Sequence, residues 1–268
     1  MARVKSVEYV RVPPRWLFVK LTDESGGVGW GEAPLEGHTQ IDIALWDLKA
    51  RNLGGPIYQL LGGKLRSKLK VYAWIGGDRP DDVEIQAQRR QDRDFKAVKM
   101  NATEDIGWLD SPSSLDSCVS PLQAVKNLGM DADIDFHGRI HKAMAKQLAK
   151  LLEPHRPLFI EEPLLSEKID GIKDLSRHTT TLIALGERLH SRWDVKPYLE
   201  SGAVDILQPD VCHVGGISEL RRIVMMAEAY DVALAPHCAL GPIVLAACVQ
   251  VDACSAFCDS GDEFVDSL

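Results

Sequence analysis

The sequence predicts an α/β protein built as a (β/α) barrel, and three observations carry that reading. From residue 70 onward, short apolar runs alternate with segments of helical periodicity. Asp135, Glu161, Glu187, Asp210 and His237 recur 26, 26, 23 and 27 residues apart, about one strand-helix unit each. Every one of them stands at the C-terminal end of an apolar run, where barrels of this type carry their chemistry. The first three are acids, which suggests a bound cation.

Composition permits the fold without requiring it. At 268 residues the chain holds one barrel of ordinary size, or a barrel with a small appendage. The net charge of −8, with both signs interspersed, gives no reason to expect nucleic acid or an anionic membrane as partner. No apolar run reaches membrane-spanning length and the first residues lack a signal-peptide core, so a cytoplasmic location is expected. Of the 6 cysteines, Cys238, Cys248, Cys254 and Cys258 crowd the last 31 residues without a Cys-x-x-Cys pair. They read as free core thiols rather than disulfides or zinc ligands.

Taken in order, residues 1–40 predict an antiparallel meander with strands over 4–12, 16–22 and 28–32. The turn signal Asp23-Glu24-Ser25-Gly26-Gly27 lies between the last two. Residues 41–53 are helical by the spacing of Ile41, Ala44, Leu45 and Leu48, and Gly54-Gly55-Pro56 ends them. The alternation then predicts strands over 71–75, 95–100, 131–135, 158–160, 182–185, 204–207 and 232–235. The intervening helices fall over 81–93, 115–128, 142–152, 169–178, 193–199, 217–229 and 243–251. An eighth strand has no apolar run to form it, because 255–268 is acidic and contains glycine. The expected domains are 1–40, a meander, and 41–268, a barrel with a divergent tail from about 254.

The motifs Asp135-Phe136-His137-Gly138-Arg139, Phe159-Ile160-Glu161-Glu162-Pro163, Gly186-Glu187-Arg188, Gln208-Pro209-Asp210 and Ala235-Pro236-His237 together resemble the enolase superfamily, mandelate racemase subgroup. Trp74 to Pro80, Val98-Lys99-Met100-Asn101 and Ala233 to Cys238 resemble the D-galactonate dehydratases within it. The resemblance runs from near residue 1 to about 255, with one motif per strand. It implies a barrel of the enolase-superfamily type with an N-terminal α+β capping domain, a sugar-acid substrate, and a homo-oligomer as the common family state.

The resemblance also implies roles. Asp135, Glu161 and Glu187 match three ligands of one Mg²⁺, a hard cation suited to carboxylates. His237 matches the base that removes the α-proton, and Asp210 its partner, which holds the imidazole tautomer. His137 matches the acid that protonates the departing 3-hydroxyl. His137, two residues beyond Asp135, lies on the ligand's side because strand side chains alternate with period two. The bland alternatives are helix-capping acids and a packed histidine satisfied by a neighbouring carboxylate. Lys99 and Asn101 stand where racemases of the subgroup carry paired lysine bases; asparagine cannot serve as one, so one-sided dehydration is expected. Glu162 either supports the ligands or opens the next helix, and His213 has no assigned role.

Two departures from the family pattern bear on activity. Glu36-Gly37-His38-Thr39-Gln40 passes directly into Ile41-Asp42-Ile43, where relatives of this type place several capping helices. The eighth strand, with its further acid, has no counterpart; Asp262 and Glu263 match no motif. The leading expectation is therefore a Mg²⁺-dependent D-galactonate dehydratase with a shortened cap and an incomplete barrel. Very low activity is expected of it, and loose structure beyond about Ala253. A non-catalytic remnant is the second reading, and a zinc hydrolase is disfavoured because no His-x-His pair accompanies the acids.

Overall fold

The computed structural model of the protein describes residues 3–13, 16–33, 39–76, 80–102 and 106–256. The cap junction at 36–38, Gly77 to Arg79 of the tryptophan motif, Cys258, Asp262 and Glu263 lie outside the described residues. The described chain divides into two compact units, one of residues 3–70, 187–196 and 208–256, the other of 71–186 and 197–207.

The first unit opens with the meander. Strands β1 (Val4–Val12), β2 (Trp16–Asp23) and β3 (Val28–Ala33) pair antiparallel. Asp23 closes the β2–β3 turn by accepting hydrogen bonds from the amides of Ser25 and Gly27 and from the Ser25 hydroxyl. Alternate β2 side chains Val19 and Leu21 turn inward onto Ala44 and Leu48 of helix α1 (Thr39–Asn52). Short helix α2 (Ile57–Leu60) follows. The unit also holds strand β10 (Ala233–Leu234) and helices α8 (Ile217–Ala229) and α9 (Pro242–Asp252).

Two acids distant in sequence cap those helices. Asp42 of α1 accepts from the amide and hydroxyl of Ser218 at the start of α8, at 3.0 and 2.5 Å. Glu32 of β3 accepts from the amides of Ile243 and Val244 at the start of α9, at 3.2 and 3.3 Å. Each satisfies amides that the helix cannot, with a charge that suits the helix dipole. Gly216 and Gly241 admit them, since a Cβ at either would collide with the capping carboxylate.

The second unit is parallel α/β. Strands β4 (Ala73–Trp74), β5 (Ala97–Asn101), β6 (Asp131–Asp135), β7 (Ile160–Glu161), β8 (Ile183–Leu185) and β9 (Ile206–Leu207) pair in sequence order. Helices α3 (Pro80–Gln91), α4 (Pro112–Asn127), α5 (Lys142–Leu152) and α6 (Ile169–Ser176) alternate with them. α7 (Arg192–Ser201), of which residues 197–201 belong to this unit, leads to β9. α5 shows why: Met144, Ala145, Leu148, Ala149 and Leu152 are buried at spacings that place them on one helical face. Under the strands, Tyr72, Ala97, Phe159 and Ala184 form a packed cluster.

All seven strands expected after residue 70 are present at the expected places, though several are shorter. Among the described residues no eighth strand follows α9. α4 starts earlier than expected, because Ser111 caps it and Pro112 fits the first turn, where no amide is needed. The expectation of loose structure beyond Ala253 fails as far as Ala256. Ser255 is buried and its hydroxyl donates to the Val251 carbonyl. Leu65 N–H donates to the Ala253 carbonyl, and the Arg66 guanidinium donates to those of Ser255 and Ala256 at 2.7 and 2.8 Å. Backbone groups left over at the end of α9 are thus satisfied from the segment after α2. No helix among the described residues is long and apolar enough to cross a membrane.

Candidate active site

In the second unit, parallel register places Asn101, Asp135 and Glu161 at one level of three adjacent strands, and Lys99 and Asp133 at the level two residues below. Side chains two apart on a strand share a face. Asp133, Asp135 and Glu161 are all buried. The Lys99 ammonium reaches from β5 to β7 and donates to both oxygens of Glu161, at 2.8 and 3.0 Å. With side chains 3% and 0% exposed, this is an ion pair out of water, where losing either partner is costly.

His137 contacts Asp135 as expected, but for a different reason. β6 ends at Asp135, and His137 follows in a turn with φ +52°, so strand alternation does not place it. Its amide donates to Asp135 Oδ1 at 2.6 Å, and its Nδ1 lies 3.0 Å from Oδ2. Burial alone would raise the Asp135 pKa; the hydrogen bond from His137 and the nearby Lys99 charge outweigh it and hold the group below the ordinary carboxylate range.

Glu162 also leaves the strand with a positive φ of 40°, a strained conformation for a non-glycine residue. Its Oε1 accepts the Gly186 amide at 2.9 Å, which ties the end of β7 to the end of β8. The Tyr198 hydroxyl donates to the Ser166 carbonyl; burial and the charges of Glu162 and Glu167 push its pKa up to about 12.

The first unit holds a chain of three groups. His237 Nδ1 lies 2.9 Å from Asp210 Oδ2, and His237 Nε2 lies 3.2 Å from Glu187 Oε2. Asp210 is fully buried, and its other oxygen accepts the Cys212 amide at 2.6 Å. Burial would raise the Asp210 pKa; the hydrogen bond and charge of His237 prevail and keep it low. The His213 ring lies tilted against those of His190 and His237, with centroids 5.9 and 6.3 Å away, and its Nδ1 lies 2.7 Å from the Glu187 carbonyl. Arg188 Nε is 3.3 Å from Glu187 Oε1. Cys118, Cys212, Cys238, Cys248 and Cys254 are buried thiols outside any disulfide.

Asp135, Glu161 and Glu187 offer only buried carboxylate oxygens, the donor chemistry a hard divalent cation requires. Each one is bonded to a protein group that carries or can carry positive charge: Asp135 to His137, Glu161 to Lys99, Glu187 to His237 and Arg188. Among the described residues no group of three His, Cys, Asp or Glu side chains forms a finished cage. The carboxylates fit a cation by their chemistry, with protein cations as competitors.

Comparison with known proteins places the chain. The profile of the enolase C-terminal domain-like family matches residues 82–268, and that of the mandelate racemase/muconate lactonizing enzyme N-terminal domain matches 36–62. The protein named D-galactonate dehydratase of Variovorax paradoxus (strain S110) is 40% identical over 299 residues, covering 93% of this chain and 78% of that one. The protein of the same name from Ralstonia pickettii (strain 12J) is 42% identical over 291 residues, covering 90% and 76%. A crystal structure of a mandelate racemase/muconate lactonizing enzyme from Sulfitobacter sp. superposes with a TM-score of 0.92 at 23% identity, covering 100% of this chain and 86% of that one. The fold is thus the enolase-type (β/α) barrel. The chain belongs to the enolase superfamily, in its mandelate racemase/muconate lactonizing enzyme family.

Proposed function

We propose that the protein is a sugar-acid dehydratase, a hydro-lyase that converts D-galactonate to 2-keto-3-deoxy-D-galactonate with Mg²⁺. The observation that carries the reading is the buried Asp210 carboxylate holding Nδ1 of His237 at a strand end. Two relatives at 40% and 42% identity that bear the name of this activity support the substrate class.

An ionised Asp210 keeps the Nδ1 proton in place and stabilises the imidazolium once it forms. Glu187 shares Nε2 in this structure; with that carboxylate turned aside, Nε2 takes the proton from carbon 2. The electron pair left behind is first taken up by the substrate carboxyl group as an enediolate, and then forms the double bond to carbon 3 as the 3-hydroxyl departs. His137 protonates that hydroxyl, so water leaves, and the resulting enol gains a proton at carbon 3 and loses the one on its oxygen to become the 2-keto acid. What a divalent cation held by Asp135, Glu161 and Glu187 supplies is positive charge for the second negative charge that develops on the substrate carboxylate. Asn101 cannot act as a base and Lys99 is engaged with Glu161, so proton removal is one-sided.

The test separates base from acid. With Mg²⁺ and D-galactonate in deuterated solvent, His237→Asn is expected to lose both exchange of the carbon-2 hydrogen and dehydration. His137→Asn is expected to keep exchange and lose dehydration. Equal loss of both activities in a folded His137 variant would overturn the assignment.

One observation favours the second reading, a weakly active remnant. The alignment to the Variovorax protein runs over 299 positions against 268 in this chain, so that relative carries internal residues with no counterpart here. A smaller cap excludes water less well and holds substrate less firmly, which raises KM and lowers kcat together.

A further inference from the structure

We propose that Lys99 is the built-in counter-cation of the buried carboxylates at the ends of β6 and β7, so that a divalent cation binds Asp135 and Glu161 only by displacing its ammonium from Glu161. The inference rests on the reading of those two acids as cation ligands, and adds to it a residue that sets the affinity.

The arrangement of charges is the first ground. Asp133, Asp135 and Glu161 are buried on one face of adjacent strands, and burying ionised carboxylates is costly unless positive charge accompanies them. Lys99 is the buried lysine of that face, and its two bonds at 2.8 and 3.0 Å engage both oxygens of Glu161. A cation seeking those oxygens meets an ammonium already on them.

The second ground is where the ammonium can go. Lys99 is the register partner of Asp133, one layer below Asp135 and Glu161. A shift of the ammonium down to the Asp133 layer leaves the upper layer to a divalent cation. Displacement therefore leaves Lys99 beside another buried acid rather than stranded.

A purely structural ion pair makes a different prediction, because its loss would disorder the carboxylates and weaken cation binding. Calorimetric titration of the full chain with Mg²⁺, after removal of metal by chelation, distinguishes the two. Lys99→Met is expected to tighten Mg²⁺ binding by about tenfold or more, as removal of a buried competing charge should. Its metal-free melting temperature should fall, and its rise on adding Mg²⁺ should exceed that of the unmutated chain. Asp133→Asn, which removes the acid beside which the ammonium would settle, is expected to weaken binding. A Lys99 variant that folds only with Mg²⁺ supports the proposal, since the ion then replaces the missing charge.

If Lys99→Met folds under no condition, the unmutated protein serves: the Lys99 ammonium resonance should shift as Mg²⁺ is added. An unchanged resonance despite a measured heat of binding would overturn the proposal. So would unchanged or weaker affinity in a folded Lys99→Met. Failure of the ligand reading looks different: neither the unmutated chain nor Lys99→Met would bind Mg²⁺, and Glu161→Gln would change nothing. That result would sink both.

Discussion

The two units handle buried negative charge in different ways. On β5 to β7 a lysine holds both oxygens of Glu161. In the other unit an imidazole lies between Asp210 and Glu187, and histidine gains or loses its proton near neutral pH. The first arrangement suits carboxylates that must stay ionised and in place. The second suits proton transfer, because its cation can be made and unmade within one turnover. A fixed charge and a titratable one thus divide binding from chemistry.

The largest effects should separate these roles. Asp210→Asn is expected to lower dehydration by about 10³–10⁴-fold, as loss of the acid behind a catalytic imidazole does elsewhere. Exchange of the carbon-2 hydrogen should fall with it, while Mg²⁺ binding by calorimetry stays the same. Lys99→Met should instead change Mg²⁺ binding. Breaking its buried pair should cost about 3–5 kcal/mol of metal-free stability by urea denaturation. Similar profiles for the two variants would break the comparison.

A smaller effect concerns acid. The folded-state pKa of Asp210 is lowered, so its ionised form favours the fold. That stability is fully present above the unfolded value of about 3.9 and is lost as pH falls through the lower folded value. Urea midpoints measured from neutral pH downward should therefore decline less steeply in Asp210→Asn than in the unmutated chain. An identical slope would show that Asp210 is not stabilised by His237.

The smallest effects lie in the supports. Glu32→Ala and Asp42→Ala each remove a helix cap and should cost about 1–2 kcal/mol. Glu32→Gln should recover part of the loss, because an amide oxygen still accepts from the start of α9. Equal destabilisation by Glu32→Gln and Glu32→Ala would assign the effect to charge alone.

Periodicity made much of this legible. Short apolar runs and a helical period of 3.6 marked seven strands and the helices between them, and the 23 to 27-residue spacing marked the acids at their ends. Burial of Asp135, Glu161, Glu187 and Asp210 follows from those positions. Pairings set by three-dimensional register were not legible. The reach of Lys99 to Glu161 spans two strand spacings, and neither residue type nor local pattern announces it. Asp133 had a signal, since it sits two residues before Asp135 and so on the same face. The caps from Glu32 and Asp42 join residues 211 and 176 positions apart, beyond any local rule. His137 was placed beside Asp135 by strand alternation, whereas a left-handed turn after the strand puts it there. The hold of Arg66 on Ser255 and Ala256 likewise replaced an expected loose end.

The central claim is that His237, held by Asp210, removes the α-proton of a sugar acid in this chain. The most direct test incubates the purified, Mg²⁺-loaded protein with D-galactonate and related aldonates in deuterated water, following carbon-2 exchange and 2-keto acid release together. The account predicts that both occur with D-galactonate and vanish in His237→Asn. If the residues of the Variovorax protein that have no counterpart here belong to the cap, the rate should lie well below the ordinary enzyme value of about 10 per second. Neither exchange nor 2-keto acid from any aldonate, in a folded protein with Mg²⁺ bound, would contradict it.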